Sequence, residues 1–219
     1  MNPTVGRLLA RSFFAGPVLE VAPALLGAVL TSPRTGVSVR LTEVEAYAGP
    51  NDPASHAVRR TARTEVMYGP PGFLYVYFVY GMHWCANLVT GQYGAASAVL
   101  LRAGEVTTGL TAARALRPSV RSDPVLGRGP AAIATLLGLT GADSGNDLCR
   151  PGRVVAVRSG VAPAAISSGP RVGISSAAER PWRFWEAGAA SVTTFRSGTH
   201  RRRGRGVARG SNARDASKI

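Results

Sequence analysis

The residue types that could do chemistry crowd into one stretch of the 219-residue chain, between positions 43 and 102. Thr42-Glu43-Val44-Glu45-Ala46-Tyr47 sets two carboxylates among aliphatic neighbours. A carboxylate held beside a hydrophobic strand gains either a raised pKa or a fixed partner, and both suit a general base. The competing reading is a glutamate paired with one of the chain's many arginines. Further on, Tyr75, Tyr77 and Tyr80 stand within six residues. Such rings are either half-buried core or platforms for base stacking, worth about 1–3 kcal/mol per base. His56, after Asp52-Pro53-Ala54-Ser55, is either structural or a ligand-binding imidazole. With His83 and His200 it makes no metal spacing, and Cys85 and Cys149 stand too far apart for a zinc pair. No metal and no cofactor are expected, and a disulfide framework is not expected either.

These residues need elements to hold them. Val37, Val39 and Leu41 alternate with polar residues, which predicts a strand. If the alternation continues, Glu43, Glu45 and Tyr47 share the aliphatic face, an unusual place for carboxylates. Residues 49–72 have little periodicity and carry His56, Arg59, Arg60 and Arg63, so they read as a long functional loop. Gly69-Pro70-Pro71-Gly72 is a rigid turn that launches Phe73 to Gly81, the strongest strand signal in the chain. In that strand Tyr75 and Tyr77 take one face while Phe78 and Tyr80 take the other.

Around this segment, residues 7–30 read as short helices broken by Pro17 and Pro23, and 98–102 as a strand. Gly129-Pro130 starts a helix that stops at Gly138. Val154–Val157, Arg171–Ile174 and Trp182–Trp185 read as later strands. Strands and short helices mix without a βαβ rhythm, so the expected class is α+β with a mainly antiparallel sheet.

Length allows a single domain able to bury a sizeable core, and a mean hydropathy of +0.06 excludes wholesale disorder. The charge is extreme: 26 basic residues against 12 acidic ones give +14 and a pI near 11.3. That surplus points to a polyanion, nucleic acid before membrane, although an arginine-biased genome would also produce it. Lys218 is the only lysine. The apolar run 18–30 contains Glu20 and Pro23 and is too short to span a bilayer, so a cytoplasmic protein is expected. From residue 196 the pattern collapses into eight basic residues, including Arg201, Arg202 and Arg203, with only Asp215 against them. The division expected is a domain over 1–195 and a disordered basic tail over 196–219, either without a role or a loose phosphate-binding arm.

Several motifs taken together resemble the alkyladenine (3-methyladenine) DNA glycosylase family. They are Glu43-Val44-Glu45-Ala46-Tyr47, Asp52-Pro53-Ala54-Ser55-His56, Met67-Tyr68-Gly69-Pro70-Pro71-Gly72 and the run from Tyr75 to Asn87. Val99-Leu100-Leu101-Arg102-Ala103, Gly129-Pro130, Pro170-Arg171-Val172-Gly173-Ile174-Ser175 and Pro181-Trp182-Arg183-Phe184-Trp185 extend the resemblance to nearly everything but the tail. It implies a single compact domain with a curved antiparallel sheet, surrounding helices and a protruding β-hairpin. It also implies a bacterial, monomeric, monofunctional glycosylase acting on alkylated or deaminated purines in double-stranded DNA. By that resemblance Glu45 matches the base that activates water, and Arg102 a residue beside that water. Tyr47, His56 and Tyr77 match side chains that sandwich the flipped base. Asn87 matches one that crowds the 2-amino group of guanine, and Tyr80 the wedge that enters the duplex. Tyr75 matches a supporting position, while Arg59, Arg60, Arg63 and the tail arginines are candidate backbone contacts. Three positions depart from the family pattern. Thr64 and Glu65 replace an Asn-Arg pair, and Ala132 stands where relatives are often basic. The alternative function is a non-catalytic damaged-DNA or RNA-binding protein of the same fold.

Overall fold

The computed structural model describes residues 6–198. In chain order it contains α1 (Arg11–Phe14), α2 (Val18–Ala24), β1 (Val29–Thr31), β2 (Ser38–Tyr47), β3 (Leu74–Val79), β4 (His83–Thr90) and β5 (Ser97–Thr108). There follow α3 (Leu110–Leu116), β6 (Gly127–Arg128), α4 (Pro130–Leu136), β7 (Ala156–Arg158), β8 (Ile166–Gly169) and β9 (Arg183–Glu186). The strands form one curled sheet in the order β3-β4-β5-β2-β1-β7, with every pairing antiparallel. Strand β9 takes over from β1 along the second half of β2 and pairs in turn with β8.

The expected α+β architecture is the observed one. Its main core holds Phe14, Val21, Leu25, Leu41, Val44, Leu88, Leu101, Ile133 and Leu136, filled from one face by the helices. A smaller cluster of Ala57, Met67, Tyr75, Val89, Ala96 and Ala98 lies under the 49–72 loop. That loop holds only three short 3-10 turns, Gly49–Asn51, His56–Val58 and Glu65–Tyr68.

One expectation fails at a decisive place. Leu41 and Val44 lie three apart, yet both join the main core, so the alternation of β2 changes phase between them. Leu41 pairs with Gly104 and Val44 with Leu101, while the register shifts on either side of Glu43. Strand β5 changes phase at the same level, and the pairing resumes with the same offset. An added Cβ on Gly104 would lie 2.4 Å from a Val39 methyl and 2.6 Å from the Arg40 carbonyl oxygen, so only glycine permits this close approach. Past the irregularity, Val44 and Ala46 face the core while Glu43 and Glu45 face the opposite side.

A second correction concerns Arg171–Ile174, which is a loop rather than a strand. The Val172 amide donates to a carboxylate instead of a sheet partner, and Gly173 turns the chain at φ +74°. The strand before it is β8, Ile166–Gly169. Among the described residues, no helix is long and apolar enough to cross a membrane.

Candidate active site

A cavity of about 370 Å³ opens on the face of the sheet turned away from the main core. Glu45, Tyr47, His56, Tyr77, Asn87 and Arg102 line it, and Tyr80 reaches it from the hairpin between β3 and β4. Residues drawn from four separate parts of the sequence thus meet in a space of small-molecule size, mostly apolar with a few convergent polar groups.

The two glutamates of β2 are both fully buried, and their surroundings separate their roles. Glu43 accepts from Arg102 Nε (3.0 Å), Arg183 Nη1 (3.3 Å), Thr193 Oγ1 (2.7 Å) and the Thr193 amide (2.7 Å). Three of these donors converge on Oε1 and the Thr193 amide takes Oε2, and Glu43 does not line the cavity, so it is enclosed by its donors away from any reactant. Glu45 instead lines the cavity. Its Oε1 accepts from the Val172 amide at 2.7 Å and lies 3.3 Å from Arg102 Nη1. Its Oε2 accepts only from the Tyr47 hydroxyl, at 2.8 Å. One lone pair on Oε2 is therefore open. Glu43 is the glutamate held by arginines, Arg102 and Arg183, while Glu45, which Arg102 also approaches, is the one that faces the cavity. Glu43, Glu45, Arg102 and Arg183 together carry no net charge, which is what lets four ionised groups share a dry interior.

Arg102 is held rather than mobile, since its third nitrogen donates to Thr193 Oγ1 at 3.2 Å. Tyr47 stays a phenol: burial, then the nearby Glu45 charge, push its pKa well above the usual value. Burial likewise pushes the Tyr77 phenol up. Tyr77 stacks on Tyr75 with ring centres 5.5 Å apart, and His56 meets the Tyr77 ring edge-on at 4.5 Å. His56 Nδ1 lies 3.1 Å from the Tyr75 hydroxyl. Packing of its inner side, then the Arg63 charge, lower its pKa from the ordinary 6.5, so the imidazole is neutral at neutral pH. Asn87 Nδ2 donates to the Tyr75 carbonyl at 3.2 Å, which fixes the amide against the cavity wall.

Tyr80 differs from all of these. It is 81% exposed at the hairpin tip and adopts φ +54°, a conformation uncommon for a non-glycine residue. Phe78 and Met82 flank it, also exposed. Backbone held in such a conformation concentrates at functional sites.

Arg59, Arg60 and Arg63 are exposed on the 49–72 loop and do not line the cavity. Arg60 is engaged by Glu65 through a charge-assisted hydrogen bond of 2.8 Å and lies over the Tyr68 ring. The acidic departure at Glu65 thus occupies its neighbour's charge. Ala132 is buried inside α4, whereas the preceding Ala131 lines the cavity. Arg201, Arg202 and Arg203 lie outside the described residues.

Sequence reasoning missed four contributors: Thr193, which caps Glu43, the two members of the Arg171–Asp52 ion pair, and the Val172 amide. Asp52 and Arg171 stand inside the resembling motifs, but nothing local marks them as partners 119 positions apart.

The Methylpurine-DNA glycosylase (MPG) family profile matches residues 12–190. A protein of Streptomyces avermitilis is 52% identical over 202 residues, covering 89% of this chain and 95% of its own. One from Nocardia farcinica is 50% identical over 183 residues, covering 80% and 85%. One from Burkholderia cenocepacia is 46% identical over 186 residues, covering 83% and 89%. All three carry the name "Putative 3-methyladenine DNA glycosylase".

Proposed function

Because this chain belongs to the methylpurine-DNA glycosylase family, we propose that its cavity receives a damaged purine flipped out of duplex DNA, and that Glu45 activates the water that releases it. The observation that carries the reading is the open acceptor site on Glu45 Oε2 of a carboxylate that lines the cavity, whereas Glu43 is enclosed by its donors and does not line it.

A purine alkylated at N3 or N7 is a cation and already a good leaving group. Neutral aromatic faces attract a cation, and Tyr47, Tyr77 and His56 supply them without adding positive charge. The water oxygen bonds to the sugar C1′ and the C1′–N bond breaks, its electron pair leaving with the base. The water's proton passes to Glu45. An alkylated base departs neutral, so one carboxylate suffices, half of the usual glycosidase pair. A neutral lesion such as hypoxanthine needs an added proton. The neighbouring phenols have raised pKa values and His56 is already neutral, so none of them is a good donor. The cavity therefore favours lesions that bring their own charge. Tyr80 fills the gap that the flipped nucleotide leaves in the stack, unstacking being worth a few kcal/mol.

No lysine stands among residues 6–198, so no side-chain amine there can form a Schiff base with the sugar. Strand cleavage is not expected. The test is single-turnover release from a duplex carrying one 7-methylguanine. Glu45→Gln should lose at least about 10²-fold while still binding that duplex. The native product should be an abasic strand that breaks only after alkali. Near-native release by Glu45→Gln would overturn the assignment of the base. Absence of release by the native protein would favour the non-catalytic alternative.

A further inference from the structure

Arg171 is the largest of the fully buried side chains, 1% exposed, and it does not line the cavity. Taking a guanidinium out of water costs several kcal/mol, and Nε here has no partner at all. Its remaining contacts all converge on the residues beside Glu45. Nη1 donates to the carbonyl oxygen of Ala46 at 2.9 Å. The guanidinium carbon lies over two rings, 4.6 Å from the centre of Tyr47 and 5.2 Å from that of Trp182. Both Nη atoms clasp Asp52, whose carboxylate also accepts from the amides of Ala48 and Ala54. The next residue, Val172, gives its amide to Glu45 Oε1. The carbonyl of Trp182 accepts from the Ala46 amide, which closes the ring of contacts.

We propose that Arg171, clasped by Asp52, is a positioning residue for the reaction: it locks the 171–172 segment against β2 so that the Val172 amide fixes the Glu45 carboxylate with Oε2 facing the reactant. This rests on the reading of Glu45 as the base. A lysine could keep the charge but could neither offer a planar group to the two rings nor reach both Asp52 oxygens and the Ala46 carbonyl together. A misplacement of about 1 Å in such a support costs up to about 10²-fold in rate.

The experiment is a double-mutant cycle on the full chain, read as single-turnover release of 7-methylguanine, with duplex affinity and thermal midpoint measured in parallel. Arg171→Lys should lower the rate about 10- to 100-fold, with affinity for the lesion duplex near native. In a Glu45→Gln background the same change should cost little more, because it acts through the group already removed. If Arg171→Lys does not fold, Asp52→Asn, which weakens the same clasp at constant volume, takes its place in the cycle. Equal losses in both backgrounds would make Arg171 a general structural residue and overturn the inference, leaving the Glu45 reading intact. Near-native release by Glu45→Gln alone would remove the base assignment and this inference with it.

Discussion

The floor of the cavity and the tip of its hairpin are built on opposite terms. On the floor, Glu43 and Glu45 are fully buried, every ionised neighbour has a partner, and the two register shifts that flank Glu43 serve to place them. At the tip, Tyr80 is held by a three-residue turn and little else, with its ring in solvent. On the proposed function the floor must hold reacting atoms within fractions of an ångström, at the expense of stability-neutral or costly ion pairs. On the same reading the tip has only to fill a gap in a stack of bases, a task that allows it to stay bare until DNA arrives. Damage to the floor should therefore appear in folding and rate, and damage to the tip in duplex binding alone.

The largest effect should come from Glu43→Ala, which strands Arg183 as a buried unpaired charge and leaves Arg102 with Glu45 alone. It should destabilise the protein by about 3–5 kcal/mol, measured by urea unfolding. A loss below about 1 kcal/mol would show that the floor does not depend on this anchor.

Next is Tyr80→Ala. The thermal midpoint should not move, and affinity for lesion duplex should fall about tenfold or more, since unstacking is worth a few kcal/mol. Release from single-stranded DNA should change less. Equal loss on both substrates would assign Tyr80 to the floor instead.

His56, exposed on its outer side and packed on its inner side, lies between the two regimes. Its folded pKa is depressed, so the unfolded chain binds the proton more readily. Its contribution to stability is thus complete above the ordinary 6.5 and is lost as pH falls below it. The urea midpoint of the native protein should fall more between pH 7 and pH 5 than that of His56→Gln. Parallel curves would mean that the imidazole is effectively solvated.

The smallest effect concerns neither region. Deleting residues 199–219 removes seven basic side chains and one acidic one. The salt slope of non-specific DNA binding should drop by about one for every phosphate that the shortened chain leaves unneutralised, with folding unchanged. An unchanged slope would make the tail irrelevant to binding.

What the sequence disclosed follows the range of the forces involved. Strand β3 and helix α4 were readable because aromatic richness and the Gly-Pro start are local signals, whereas the hairpin came only from the family resemblance. Strand β8 and helix α3 were not, since Ile166-Ser167-Ser168-Gly169 has little strand character and α3 is a single short, alanine-rich stretch. The cavity residues were legible as a set of motifs. Their division of labour was not, because it depends on which of two glutamates is enclosed by donors 59 to 150 positions away. The misread loop at Arg171–Ile174 has the same origin: its apolar pattern is that of a strand, but its amide belongs to Glu45.

The paired phase change in β2 and β5 makes the site a matter of counting as well as of side-chain identity. Both strands are irregular at the same level, so their offset survives while the faces exchange. Removing one residue at Thr42 would leave every side chain of the motif present and return Glu43 and Glu45 to the oily side, with Val44 and Ala46 turned toward the cavity. At this locus the chain's length carries information that no substitution can replace, and a one-residue deletion should be worse tolerated than most exchanges of the residues around it.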